Sequence, residues 1–247
     1  MAVATGVSTA AIGVAPAANA SCASFFGLGN TANCHSTFGS IAIAIGSTAA
    51  AQADGLFGVA FASGTNAGAV ALGILGAAIS VGTNAQTGSG SGTEPIQLGN
   101  VAIDFGNHSG AQNAVAASGL GNLAVNLGGT DVFVFASGAL NNATNVSGTG
   151  SNVGSAGVLT WSFNVLGSNN FVSAGPGFLA VAGSVAQRGA TLAQAPFGIN
   201  INGAALPPSA AARQAALRNH RASIAPKSVS AASAKASKRG TAHSVRG

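Results

Sequence analysis

One phrase recurs through most of this chain: a small or polar residue, four to six residues that alternate apolar with small, and then a glycine. SIAIAIG ends at Gly46, AISVG at Gly82, NVAIDFG at Gly106, NLAVNLG at Gly128 and FLAVAG at Gly183, with successive copies mostly 9 to 13 residues apart. Alternation with a period of two marks strands rather than helices. A strand this short cannot bury a face alone. A chain that turns at regular intervals can, because each strand then stacks on its equivalent in the next coil, ~4.8 Å away. The fold class expected is all-β: a parallel β-solenoid or β-roll of short repeated strands over residues 40–203, followed by a disordered basic C-terminal tail.

The alternation also suggests a sidedness. In VAIDF (101–105) and LAVNL (123–127) the larger apolar residues are expected to point inward and the Ala, Asp and Asn residues outward. In IAIAI and VFVFA both faces are apolar, which suggests a second packed surface or a face shared between chains. GSGSGTEP (88–95) reads as a loop interrupting the array. Trp161, the one tryptophan, is expected in the core or at a cap.

Charge divides the chain in two. Only 5% of residues are charged, and the four acids are Asp54, Glu94, Asp104 and Asp131, whereas the first Lys or Arg is Arg188. The net +5 therefore describes the C-terminal end alone. After Pro207-Pro208, Ser209 can cap a short helix through AAARQAALRNHRA, and beyond Pro226 little remains that could be buried. Residues 204–247 are thus expected to form a short helix and a disordered tail. Arg213, Arg218, Arg221, Lys227, Lys235, Lys238, Arg239 and Arg246 make this tail a candidate polyanion-binding segment. Nucleic acid is a poor candidate, since no aromatic residue is interleaved with the basic ones.

Residues 1–20 are weakly apolar and end in Ala18-Asn19-Ala20, which suits signal-peptidase cleavage before Ser21, although the positive start of a complete signal peptide is missing. Cys22 and Cys34 are the only cysteines. They are expected to form one disulfide that closes residues 21–39 as an N-terminal cap, a closure contributing roughly 3 kcal/mol. With His35 they make too few ligands for a metal site. A secreted or envelope location follows from this reading.

Catalytic signals are weak. Gly119, Gly121 and Ala124 match a dinucleotide fingerprint, but a strand follows them rather than a helix. Gly128-Gly129-Thr130-Asp131 lacks the carboxylates that calcium requires. A pairing of Asp104 with His108 would need a third partner and a pocket, and His108 reads as a solvated turn residue. No catalytic residue, metal or cofactor is expected, and the chain reads as a non-enzyme. Finding Asp104, His108 and Asp131 in one cleft would favour an alternative, a polysaccharide-active solenoid enzyme. A further alternative is a membrane-embedded envelope protein with a span near 56–81, a stretch that is uncharged.

NVAIDFG and NLAVNLG resemble the short Asn-x-apolar-Ala-apolar-x-x-Gly repeats in the head region of trimeric autotransporter adhesins, which build a left-handed parallel β-roll. The Gly/Ala/Asn richness, with GLGN at 27–30 and 119–122, is similar to mycobacterial envelope repeat proteins. The resemblance covers residues 40–183. The coiled-coil stalk and membrane barrel of the adhesins have no counterpart here, nor does the N-terminal helical domain of the PE/PPE group. It implies a surface-displayed interaction protein able to form a homotrimer, and it transfers no functional residue. The expected function is that of an exported structural or adhesive surface protein. Its partners would be an envelope polyanion or a host surface, met through the tail or the solenoid face.

Overall fold

A computed structural model describes residues 21–90, 94–109 and 114–206. Among these the chain is all-β, a parallel β-solenoid of about eight turns. The signal-peptide reading of residues 1–20, and the helix and basic tail expected beyond residue 206, lie outside the described residues.

Each turn contributes one strand to each of two sheets. Sheet A holds β1 (Ser21–Phe25), β3 (Ile41–Ile45), β5 (Val59–Ser63), β7 (Ala77–Val81), β9 (Val101–Phe105), β11 (Leu123–Leu127), β13 (Asn142–Val146), β15 (Trp161–Val165), β17 (Ala180–Val185), β19 (Gly198–Ile201) and β20 (Ala204–Leu206). Sheet B holds β2 (Cys34–Ser36), β4 (Ala50–Ala53), β6 (Gly68–Ala71), β8 (Gln86–Ser89), β10 (Val115–Leu120), β12 (Phe133–Ala139), β14 (Asn152–Val158), β16 (Phe171–Ala174) and β18 (Thr191–Gln194). All pairings are parallel except at the two ends of sheet A, where β1 runs antiparallel to β3 and β20 antiparallel to β19. The 9-to-13-residue spacing of the phrases is therefore a half-turn. A full turn takes 18 residues where Ile41, Val59 and Ala77 stack, and 19 where Leu123, Asn142 and Trp161 stack.

The expected sidedness is reversed. In β9 the buried residues are Ala102 and Asp104, in β11 Ala124 and Asn126, while Phe105 and Leu127 are 44% and 40% exposed. The reason is width: the largest side chains fully buried between the sheets are Val and Asn, and the Phe and Leu of these strands are too large to join them. The inner column of sheet A accordingly runs Ala42, Ala60, Ala78, Ala102, Ala124, Ala143. Trp161 follows the same rule and sits outward, 53% exposed, rather than in a core or cap.

Corners are fixed by stacked glycines. A Cβ added at Gly64 would lie 2.1 Å from the Gly82 carbonyl oxygen, and one at Gly138 would lie 2.1 Å from that of Gly157. Each of these glycines has φ above +100° and backbone directly against it. No other residue fits there.

Three boundaries shift from the sequence reading. Gly88 and Ser89, expected in a loop, belong to β8 and pair with β6 and β10, so the array passes through this point unbroken in both sheets. Residues 204–206, expected to belong to the C-terminal segment of helix and tail, instead form the closing strand β20. The stretch 56–81 is not a transmembrane helix: it builds β5, β6 and β7, because its glycines fall at corner intervals and its Ala residues alternate inward. No helix among the described residues is long and apolar enough to cross a membrane.

Candidate functional site

The disulfide expected from the sequence is present: Cys22 in β1 is bonded to Cys34 in β2, with Cα atoms 5.7 Å apart. It ties the antiparallel end strand to the first strand of sheet B. The eight basic positions from Arg213 to Arg246 lie outside the described residues.

Asp104 and His108 do come together. Asp104 occupies an inner column of sheet A that continues with Asn126, Asn145 and Asn164, all buried. Each amide nitrogen donates to the residue one turn earlier: Asn164 to Asn145 at 2.8 Å, Asn145 to Asn126 at 2.8 Å, and Asn126 to Asp104 at 2.7 Å. Such a ladder needs a terminal acceptor. A carboxylate meets that need, and its second oxygen takes His108 Nε2 at 2.8 Å. His108 Nδ1 accepts the backbone N–H of Asp131 at 3.0 Å, which assigns the ring proton to Nε2.

His108 is therefore no solvated turn residue. Its side chain is fully buried, as is that of Asp104. Both ring nitrogens are engaged, so neither can accept a proton from a bound substrate without breaking a buried hydrogen bond. Asp131 faces Ser109, accepting from its N–H and its hydroxyl. The three residues adjoin in one network, with structural hydrogen bonding occupying the histidine. Among the described residues no group of three His, Cys, Asp or Glu side chains could hold a metal ion. The sequence carried no signal for this pairing beyond the i, i+4 spacing, since His108 lies in an irregular segment of its turn.

The other candidate is a surface that the sequence reading had turned inward. The outward positions of the parallel strands of sheet A form three columns. The first begins Ile41, Val59, Ala77, Val101 and Leu123, the second Ile43, Phe61, Ile79, Ile103 and Val125. In the third, Val81, Phe105, Leu127, Val146 and Val165 follow one another. Across β3 to β19 only Ser63, Asn142 and Thr144 are polar at outward positions, and none is ionisable.

This apolar surface continues around the corner leading from sheet B into sheet A. Phe57, Leu75, Leu140, Leu159, Leu179 and Phe197 stand there at positive φ, between 52° and 57°, and are 43% to 64% exposed. Between Leu140, Leu159 and Trp161, with Asn142 and Thr160, lies a shallow depression of about 220 Å³. The opposite corner is mostly polar, carrying Thr48, Asn66, Asn84, Asp131 and Asn169, with Leu166 its one large exposed apolar residue among these turns. The outward face of sheet B is mixed: Gln52, Gln86 and Ser118 lie on it beside Phe133, Phe135 and Phe171.

The fold and its surface thus define a two-sheet parallel β-solenoid with one apolar side. No family model, curated protein or solved structure matches this chain. The resemblance to adhesin heads and envelope repeat proteins rests on the repeat phrases alone.

Proposed function

We propose that this is an exported structural or adhesive surface protein that works through the outer face of sheet A and does no catalysis. The observation that carries the reading is that face: apolar at every outward position of its parallel strands except Ser63, Asn142 and Thr144, without an ionisable group, and displayed on a scaffold threaded by a buried asparagine ladder. Large exposed apolar patches mark interaction surfaces. The Cys22–Cys34 disulfide supports an oxidising compartment, where such bonds persist. The basic segment from Arg213 to Arg246 serves in this reading as an electrostatic attachment to an anionic envelope polymer.

Intact-mass analysis of the native protein from culture medium, envelope and cytosol tests it. The expected result is a chain beginning at Ser21, in the medium or envelope, that gains two hydrogens on reduction and leaves the envelope in high salt. An uncleaved, already reduced cytosolic chain would overturn the export reading.

A further inference from the structure

We infer that the outer face of sheet A is covered in the assembled protein by a second copy of this chain. This deepens the reading above and rests on it for the choice of face.

Area comes first. Nine parallel strands at ~4.8 Å spacing, each about 15 Å long, give a face on the order of 600 Å² in plan. The corner that carries Phe57 and Leu75 extends it toward the ~800 Å² per partner of a standard stable interface, beyond the largest patch usual on a monomer. Charge comes second. Interface centres are depleted of charged residues, and two copies of this face meet without desolvating any ionised group.

The corner supplies an independent observation. Its column also contains Gly99 and Gly121, at φ +66° and +63°, so glycine is accommodated there. Six other turns instead hold a bulky Leu or Phe in a conformation that disfavours a Cβ by about 1 kcal/mol or more. In the free chain these side chains keep 43% to 64% of their surface in water, so burial offsets that strain only in part, and a partner laid over the corner supplies the rest.

A flat anionic membrane fits less well. Peripheral lipid-binding surfaces flank their apolar face with Lys and Arg, and the only such residue among those described is Arg188. In sheet A the antiparallel strands at both ends disfavour the addition of further parallel turns there.

The test is the mass of the full chain in solution, by light scattering and sedimentation velocity at tens of micromolar. The wild type is expected to be a closed oligomer. Ile103→Lys, in the middle column, should convert it to monomer, with at least a hundredfold weaker association and an unchanged β-sheet circular dichroism spectrum. Thr191→Lys, exposed on the outward side of sheet B, should leave the mass unchanged. Phe105→Lys, at a position already 44% exposed, repeats the test if Ile103→Lys fails to fold. A monomeric wild type overturns the inference, and so does an oligomer that both face variants leave intact. Wild type that is monomeric yet co-sediments with phosphatidylglycerol vesicles identifies a lipid surface as the occupant and likewise overturns it. None of these outcomes bears on export, which the intact mass decides separately.

Discussion

The first turns and the later turns of this solenoid hold the same backbone together by different chemistry. From β3 to β6 the interior is alanine on alanine: Ala42, Ala44, Ala60 and Ala62 from sheet A face Ala51, Ala53, Ala69 and Ala71 from sheet B. From β11 to β15 the same sheet B column reads Val134 and Val153, and the facing column of sheet A is Asn126, Asn145 and Asn164. A second ladder stands at the corner, where Asn141 N–H donates to Asn122 Oδ1 and Thr160 N–H to Asn141 Oδ1, each at 2.8 Å. At that corner the early turns have only Ser40, whose hydroxyl accepts from Gly58 N–H at 3.0 Å. The lengths differ to match, 18 residues per turn from β3 to β7 and 19 from β11 to β15, with two longer turns of 24 and 22 residues between them. The early block gains specificity from size alone. In the later block, a buried amide left out of register loses a hydrogen bond at both ends, so the ladder fixes the stacking.

The sharpest way to break this comparison is at what both blocks share. Gly64→Ala in the early block and Gly138→Ala in the later one each drive a methyl against a carbonyl oxygen of the next turn. Each should destabilise by about 4 kcal/mol or more, among the largest effects of single substitutions. Gly189→Ala, with nothing within 4 Å of the added Cβ, should keep only the smaller strain of its positive φ. Urea denaturation followed by circular dichroism reads all three. Unequal losses at Gly64 and Gly138 would show that corner chemistry also differs between the blocks.

Asn145→Ala attacks the later block only. It strips Asn164 of its acceptor and removes the amide that donates to Asn126, leaving buried polar groups on both sides. A loss of about 3 kcal/mol is expected. Protection of amide hydrogens from exchange should fall in β11 to β15 and persist in β3 to β7, because stability in a stacked array is a sum over neighbouring turns. Uniform loss along the array would mean the two blocks fold as one cooperative unit.

How much of this was legible in the sequence depends on the residue. The strands of VAIDF and LAVNL follow from their alternation, and the solenoid follows from the repeated glycine. The facing did not, because hydrophobicity assigns the larger residue to the interior, and here interior width decides. The clue lies in variance: Ala102, Ala124 and Ala143 stay one size from turn to turn, while their outward neighbours run through Val101, Leu123, Asn142 and Trp161. This inner column holds one volume from turn to turn, whereas the outer face tolerates change. The disulfide was legible because there are only two cysteines to pair. His108 was not, since its burial depends on an irregular turn bringing it back over Asp104.

That account of interior width leads to the smallest expected effect, a reciprocal exchange along one column. Ala69, Thr87, Val115 and Val134 are successive members of the same inward row of sheet B. Val134→Ala removes two methyl groups from a fully buried site, and transfer at ~0.8 kcal/mol per carbon plus a small cavity predicts a loss of about 2 kcal/mol. Ala69→Val adds the same volume where alanines already meet, so it should also destabilise, by about 1 to 3 kcal/mol of overpacking. Both substitutions put a residue native to one block into the other, and both should lower the urea midpoint. If Ala69→Val were neutral or stabilising, the early turns would have room to spare, and size could not be what orders them.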